Sequence, residues 1–128
     1  MEYKVLIIEP ETILGLGLKA QFTQWGWNSI QLVESGEKGL EMVTEQLPDL
    51  LVANIVLNGS LDGIQTGRLI QKLHPVPLIF IHFRQPSREQ KRELRDMGQY
   101  VWLNKPFQVE KLQSAIESLL QTSYQKQG

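Results

Sequence analysis

The residues able to do chemistry in this chain sit in four short clusters, each directly after a run of apolar residues. Glu9-Pro10-Glu11 follows Val5-Leu6-Ile7-Ile8, and Asn54 follows Leu50-Leu51-Val52-Ala53. His82-Phe83 follows Leu78-Ile79-Phe80-Ile81, and Asn104-Lys105-Pro106 follows Tyr100-Val101-Trp102-Leu103. His82 invites pH sensing or phosphoryl acceptance; a hydrogen-bonded histidine at a strand end is the plainer expectation. A metal site would need more ligands, and His74 lies on a different connector. Glu9-Pro10-Glu11 is acidic and stiff, the wrong chemistry for a loop that cradles phosphate. The chain has no cysteine, which excludes disulfides, Cys-based zinc sites and thiol catalysis.

Elements that could position these clusters are legible from periodicity. The four apolar runs are short and β-rich, and Asn28 to Val33 forms a weaker strand. Leu14, Leu18, Phe22 and Trp25 recur at helical spacing over residues 12 to 25, with Gly26 as the stop. Ser35 caps a helix using Leu40, Val43 and Leu47, which ends at Pro48. Asp62 and Gln65 have capping-box spacing for a helix to about Lys72, and Ser87 and Gln90 have it for a polar helix ending near Gly98. The last helix carries Val109, Leu112, Ile116, Leu119 and Leu120 on one face. Strand and helix thus alternate five times. Continuous apolar strands indicate a parallel sheet covered on both faces, a doubly wound α/β sandwich. Ligands of such sheets bind beyond the carboxyl ends of the strands, where the four clusters lie.

The 128 residues suit one domain, placed at 1–121, with 122–128 as a polar tail. A formal net charge of -1 gives no reason to expect nucleic acid or membrane as a partner. The apolar runs fall far short of the ~20 residues that span a bilayer. No signal peptide is visible, so a cytoplasmic location is expected.

Taken in order, the segments KVLIIEPE, PDLLVANIVL, LDGIQTGRLI, VPLIFIHF and YVWLNKPF resemble the response-regulator receiver domain of two-component signalling. The resemblance covers nearly the whole chain. It implies a flavodoxin-like (βα)5 sandwich with a five-stranded parallel sheet in the order 2-1-3-4-5, and no enzymatic role for this chain. It also implies a phosphorelay chemistry with five requirements: an aspartate nucleophile, Mg²⁺ held by carboxylates, a lysine, a Ser or Thr hydroxyl, and an aromatic that moves with the hydroxyl.

Carried over residue by residue, three of the five requirements fail. Asn54 stands at the acceptor position, and its amide is no usable nucleophile. Glu9 matches the first acidic position, but Pro10 stands at the second, and the one-residue offset should turn Glu11 away. Glu9 is thus the only matched metal-ligand position left, and Mg²⁺ binding is expected to be weak or absent. His82 replaces the hydroxyl. Lys105 matches the lysine, with Pro106 after it and a cis bond implied between them. Trp102 falls at the aromatic switch position. The expectation is a receiver-like module that signals through protein contacts without phosphorylation. One alternative is an ordinary regulator whose acceptor Asp was replaced at position 54 in the laboratory, against which Pro10 and His82 argue. Another, from a different class, is a flavodoxin-like cofactor binder.

Plainer roles stand beside these. Asn54 can serve as a bonded polar group at a strand end, Asp62 as a helix cap, and Lys105 as the partner of Glu9 in a salt bridge. The polar helix carries Arg88, Lys91, Arg92 and Arg95, with Arg84 before it, interleaved with Glu89, Glu93 and Asp96. This describes either a solvated face with local ion pairs or, with Trp102, a partner face. The resemblance puts output contacts and homodimers on the surface of the fourth helix, fifth strand and fifth helix. Its occupant is expected to be a signalling protein or histidine kinase, or a second copy.

Overall fold

The computed structural model describes residues 3–125. Five strands, β1 (Lys4–Ile8), β2 (Ser29–Val33), β3 (Leu50–Asn54), β4 (Leu78–His82) and β5 (Tyr100–Asn104), alternate with five helices. These are α1 (Thr12–Gln24), α2 (Gly36–Glu45), α3 (Gly63–Leu73), α4 (Arg88–Leu94) and α5 (Val109–Gln125). The sheet is parallel throughout, in the order β2-β1-β3-β4-β5. This is the expected flavodoxin-like order.

The uninterrupted apolar strands are explained by burial on both faces. Successive side chains of a strand alternate between faces, and both faces here are covered. Ile7, Val52 and Ile79 point into one core with Phe22, Leu112 and Ile116. Leu6, Leu51 and Phe80 point into the other with Val43, Ile64 and Ile70. Every residue of β3 and β4 is buried, whereas the edge strands β2 and β5 are only partly covered.

Both expected capping boxes form. Asp62 accepts from the Gln65 N–H while the Gln65 side chain accepts from the Asp62 N–H, and Ser87 and Gln90 do the same. Ser35 caps α2.

Several expectations need correction. Leu47 lies beyond the end of α2 and is 52% exposed, because the helix stops at Glu45. Leu14 and Val109 are exposed rather than in the core. On α1 the buried positions are Gly15 and Phe22. A Cβ on Gly15 would lie 2.9 Å from Leu32 Cδ1, so the helix rests on β2 through its backbone and Leu14 is turned aside. Helix α4 ends at Leu94 rather than near Gly98. Its last turn tightens, with the Arg95 N–H on the Arg92 carbonyl and the Met97 N–H on the Leu94 carbonyl. Helix α5 is kinked at Gln121 (φ 45°). The end of the expected polar tail, 126–128, lies outside the described residues.

Candidate functional site

Strand register brings the four clusters to one edge of the sheet. Ile8 pairs with Ala53, Asn54 with Ile81 and His82 with Asn104, so each cluster begins where its strand ends. Glu9, Asn54 and His82 are the buried polar residues of this edge, at 4%, 6% and 8% exposure. Groups so buried need partners or must accept the loss of water.

Asn54 meets this requirement by half. Its Nδ2 donates to the Val56 carbonyl at 2.9 Å, which latches the start of the β3–α3 loop, while its Oδ1 is buried without a protein partner. The N-terminus of α3 presses on the same residue. A Cβ on Gly63 would lie 2.3 Å from the Asn54 carbonyl oxygen, and the Gly63 N–H donates to the Ile55 carbonyl at 2.8 Å. Glycine is therefore required where α3 approaches the site. Periodicity did not single out this requirement, since an Asp-Gly pair at a helix start reads first as capping.

Glu9 accepts a 3.0 Å hydrogen bond from the Glu11 N–H. Burial pushes its carboxyl above the ordinary carboxylate value; the Glu11 N–H and the Lys105 charge oppose that rise. The expected Glu9–Lys105 salt bridge is not formed. Lys105 acts on Glu9 only through space, because the Glu9 carboxylate is turned onto its own loop and no ion pair within 4 Å joins the two. Glu11 is exposed, and its charge adds to the rise of the Glu9 pKa. The Lys105–Pro106 peptide is cis.

His82 also departs from its plain reading. Its ring is buried, with Nδ1 lacking a hydrogen-bond partner. The ring lies against Phe83 at 4.5 Å and meets Trp102 edge-on at 5.9 Å. Burial lowers its pKa, and the charges of Lys105 and Arg84 lower it further. The backbone carbonyl of His82 accepts from the Lys105 N–H at 2.8 Å and from Asn104 Nδ2 at 3.4 Å. Trp102 is held as well: its Nε1–H donates to the Arg84 carbonyl at 2.9 Å, and its ring contacts Phe80 at 6.1 Å. Trp102 thus ties β5 to the β4–α4 loop and touches His82.

The basic residues Arg88, Arg92 and Arg95 are exposed, as is the Arg84 guanidinium stacked over Phe83 at 5.2 Å. The ion pairs expected within α4 are absent. Asp96 instead pairs with Arg68 of α3 at 3.0 Å, and Arg68 also donates to the Glu93 carbonyl. Among the described residues, Arg88, Arg92 and Arg95 make no ion pair within 4 Å. Among the described residues no group of three or more His, Cys, Asp or Glu side chains could hold a metal ion, and no helix is long and apolar enough to cross a membrane.

A parallel 2-1-3-4-5 sheet with polar residues gathered at its carboxyl edge defines a flavodoxin-like, doubly wound α/β domain. Residues 5–117 match the response regulator receiver domain, and the chain belongs to that family. It is 28% identical over 128 residues to the regulatory protein YrkP of Bacillus subtilis, covering 98% of this chain and 54% of that one. It is 26% identical over 123 residues to the probable transcriptional regulator ycf29 of Porphyra purpurea, covering 94% and 57%. The chain thus spans little more than half the length of these relatives. Among solved structures, the Vibrio cholerae chemotaxis protein CheY4 superposes with a TM-score of 0.83 at 18% identity, over 94% of this chain and all of that one. A receiver protein from Sinorhizobium medicae does so with a TM-score of 0.82 at 26% identity, over 94% and 96%.

Proposed function

We propose that this receiver domain transmits a signal by protein–protein contact without being phosphorylated on an aspartate. The observation that carries the reading is the buried Asn54 at the acceptor position, its amide fixed on the Val56 carbonyl. The neighbouring residues support it. Mg²⁺ prefers several hard oxygen ligands in octahedral array. Glu9 is the one buried carboxylate at this edge, Pro10 supplies no side-chain donor, and Asn54 is uncharged. This donor set does not fit the ion. His82 offers an imidazole where a hydroxyl is needed, and burial favours its neutral form. A laboratory replacement at position 54 alone leaves Pro10 and His82 unexplained. The domain acts in the cytoplasm, has no catalytic role and takes no cofactor.

The partner face is the surface of α4, β5 and α5, with Arg88, Arg92, Arg95 and Trp102 at its centre. Its occupant is a signalling protein such as a histidine kinase; a second copy is the alternative occupant. Neither nucleic acid nor membrane is a partner of this domain.

Incubation with Mg²⁺ and acetyl phosphate, followed by intact-mass measurement, tests the phosphorylation claim. The mass is expected to stay unchanged, and Asn54→Asp is expected to give little or no adduct. A stoichiometric phosphate adduct on the native chain would overturn the reading.

A further inference from the structure

At the edge of the sheet opposite Asn54, helices α3 and α4 leave a cleft of about 490 Å³ between them. It lies at the amino ends of β4 and β5, between the α3–β4 connector and the turn that follows α4. Small-molecule sites have volumes of roughly 300–1,000 Å³ and combine apolar walls with a few placed polar groups. Here Pro75, Val76, Pro77 and Met97 supply the apolar walls. Arg68 and Lys72 supply two cations one turn apart on α3. Among the described residues, Asp96 is the one carboxylate that lines the cleft.

The cleft is held open by its own hydrogen bonds. Gln71 ties both walls with one amide: its Nε2 donates to the Val76 carbonyl at 3.0 Å, and its Oε1 accepts from the Gly98 N–H at 2.9 Å. Prolines on either side of Val76 stiffen that wall, because the ring fixes φ. A preformed site of this kind costs a ligand little ordering.

The tie across the cleft is softer. Arg68 Nη1 reaches both Asp96 carboxylate oxygens at 3.0 Å, and Nη2 donates to the Glu93 carbonyl. Yet 72% of the Asp96 side chain is exposed, and ion pairs that face water contribute little. Lys72 makes no ion pair within 4 Å among the described residues. Two cations therefore stand against one carboxylate, and the cleft keeps one positive charge in excess.

We infer that this cleft binds a small carboxylate with an apolar body, its acid group on Arg68 and Lys72. One excess positive charge suits a monoanion better than a phosphate dianion. The ligand competes with Asp96 for the Arg68 guanidinium, whose planar fork matches a carboxylate. Displacing Asp96 undoes the tie between the last turn of α4 and α3. Arg88 and Arg92 of the proposed partner face lie on that helix, so the ligand acts on the element that the partner reads. This link to signalling rests on the reading that the domain works without aspartyl phosphate; the binding itself does not.

The test follows backbone amide shifts of the 128-residue chain by NMR as naphthoate, naphthamide or acetate is added to millimolar concentration. Naphthoate is expected to shift the Met97, Gly98 and Gln99 amides saturably. Naphthamide keeps the body without the charge, and acetate keeps the charge without the body. Each is expected to bind at least about tenfold more weakly. Lys72→Gln is expected to weaken naphthoate by about tenfold. Asp96→Asn is expected to tighten it, because the competing carboxylate is gone; a residue that merely shaped the cleft would do the reverse. Thermal melts check that both variants fold. On saturation, hydrogen exchange is expected to quicken at the Arg95 and Met97 amides, which bond within the last turn of α4. Naphthoate that shifts none of the cleft amides, or binds no better than naphthamide, overturns the inference. So does an Asp96→Asn variant that binds more weakly. Exchange that stays unchanged on saturation overturns the link to α4. A phosphate adduct in the acetyl phosphate experiment would overturn the Asn54 reading and leave the naphthoate shifts as expected, so the two failures are distinguishable.

Discussion

His82 shows what a single residue type can and cannot announce. Its place at a strand end was legible from the apolar run before it. Its lack of an Nδ1 partner was not, because that depends on the Phe83 and Trp102 rings closing over it. A proton on His82 would be buried and would face Lys105 and Arg84, so the folded state disfavours it. The folded pKa therefore lies below the ordinary 6.5, which the unfolded chain retains. Stability from the neutral ring is fully present above pH 6.5 and falls as the pH drops below that value toward the folded pKa. Urea unfolding at pH 7.5 and pH 5.5 should show a lower midpoint at the acid pH, and His82→Leu should shrink the difference. An equal pH response in the variant would assign the effect to other groups. Glu9 runs the other way: its raised pKa means that its burial costs stability as the pH rises above 4.5.

At the scale of elements, α1 separates two glycines that look alike in sequence. Periodicity put Leu14, Leu18, Phe22 and Trp25 on the core face, yet α1 turns Gly15 inward against Leu32 and leaves Leu14 at the rim. Helix α1 has apolar residues on both its buried and its outward side, which leaves no clear moment from which to read its orientation, so contact with β2 decides it. Gly15→Ala is expected to gain less stability than Gly17→Ala, since its Cβ needs the Leu32 side chain to shift from a 2.9 Å approach. Gly17→Ala should raise stability by about 1 kcal/mol, because the new methyl meets nothing and helix propensity improves. Chemical denaturation of both variants at low micromolar concentration measures the contrast. Equal effects would mean that α1 sits differently on β2. The two capping boxes were readable because a cap is local, three residues apart. The early end of α4 was not, because Arg68 of another helix takes up Asp96 and the Glu93 carbonyl.

For the whole molecule, the exposed arginines of α4 and Trp102 put the proposed partner face on one side, with the α3–α4 cleft at the amino ends of β4 and β5. Recovery of a partner from lysate by the native domain should fall at least tenfold with Trp102→Ala combined with Arg88→Glu and Arg92→Glu, since aromatic and arginine anchors dominate interface energies. Thermal melts of the variant would confirm that the domain still folds. Unchanged recovery would remove that face from consideration. The sequence by itself determined the alternation of strands and helices, the two-sided burial of the sheet and the residue types at its carboxyl edge. All of these follow from local periodicity and from the order of residues along the chain. Only the tertiary structure decided which of those residues meet. It bonded Glu9 to its own loop without an ion pair to Lys105, left Asn54 Oδ1 and His82 Nδ1 without protein partners, and joined Trp102 to the Arg84 carbonyl. Such contacts depend on side-chain directions and on loops converging from distant parts of the chain, which the spacing of residues does not encode.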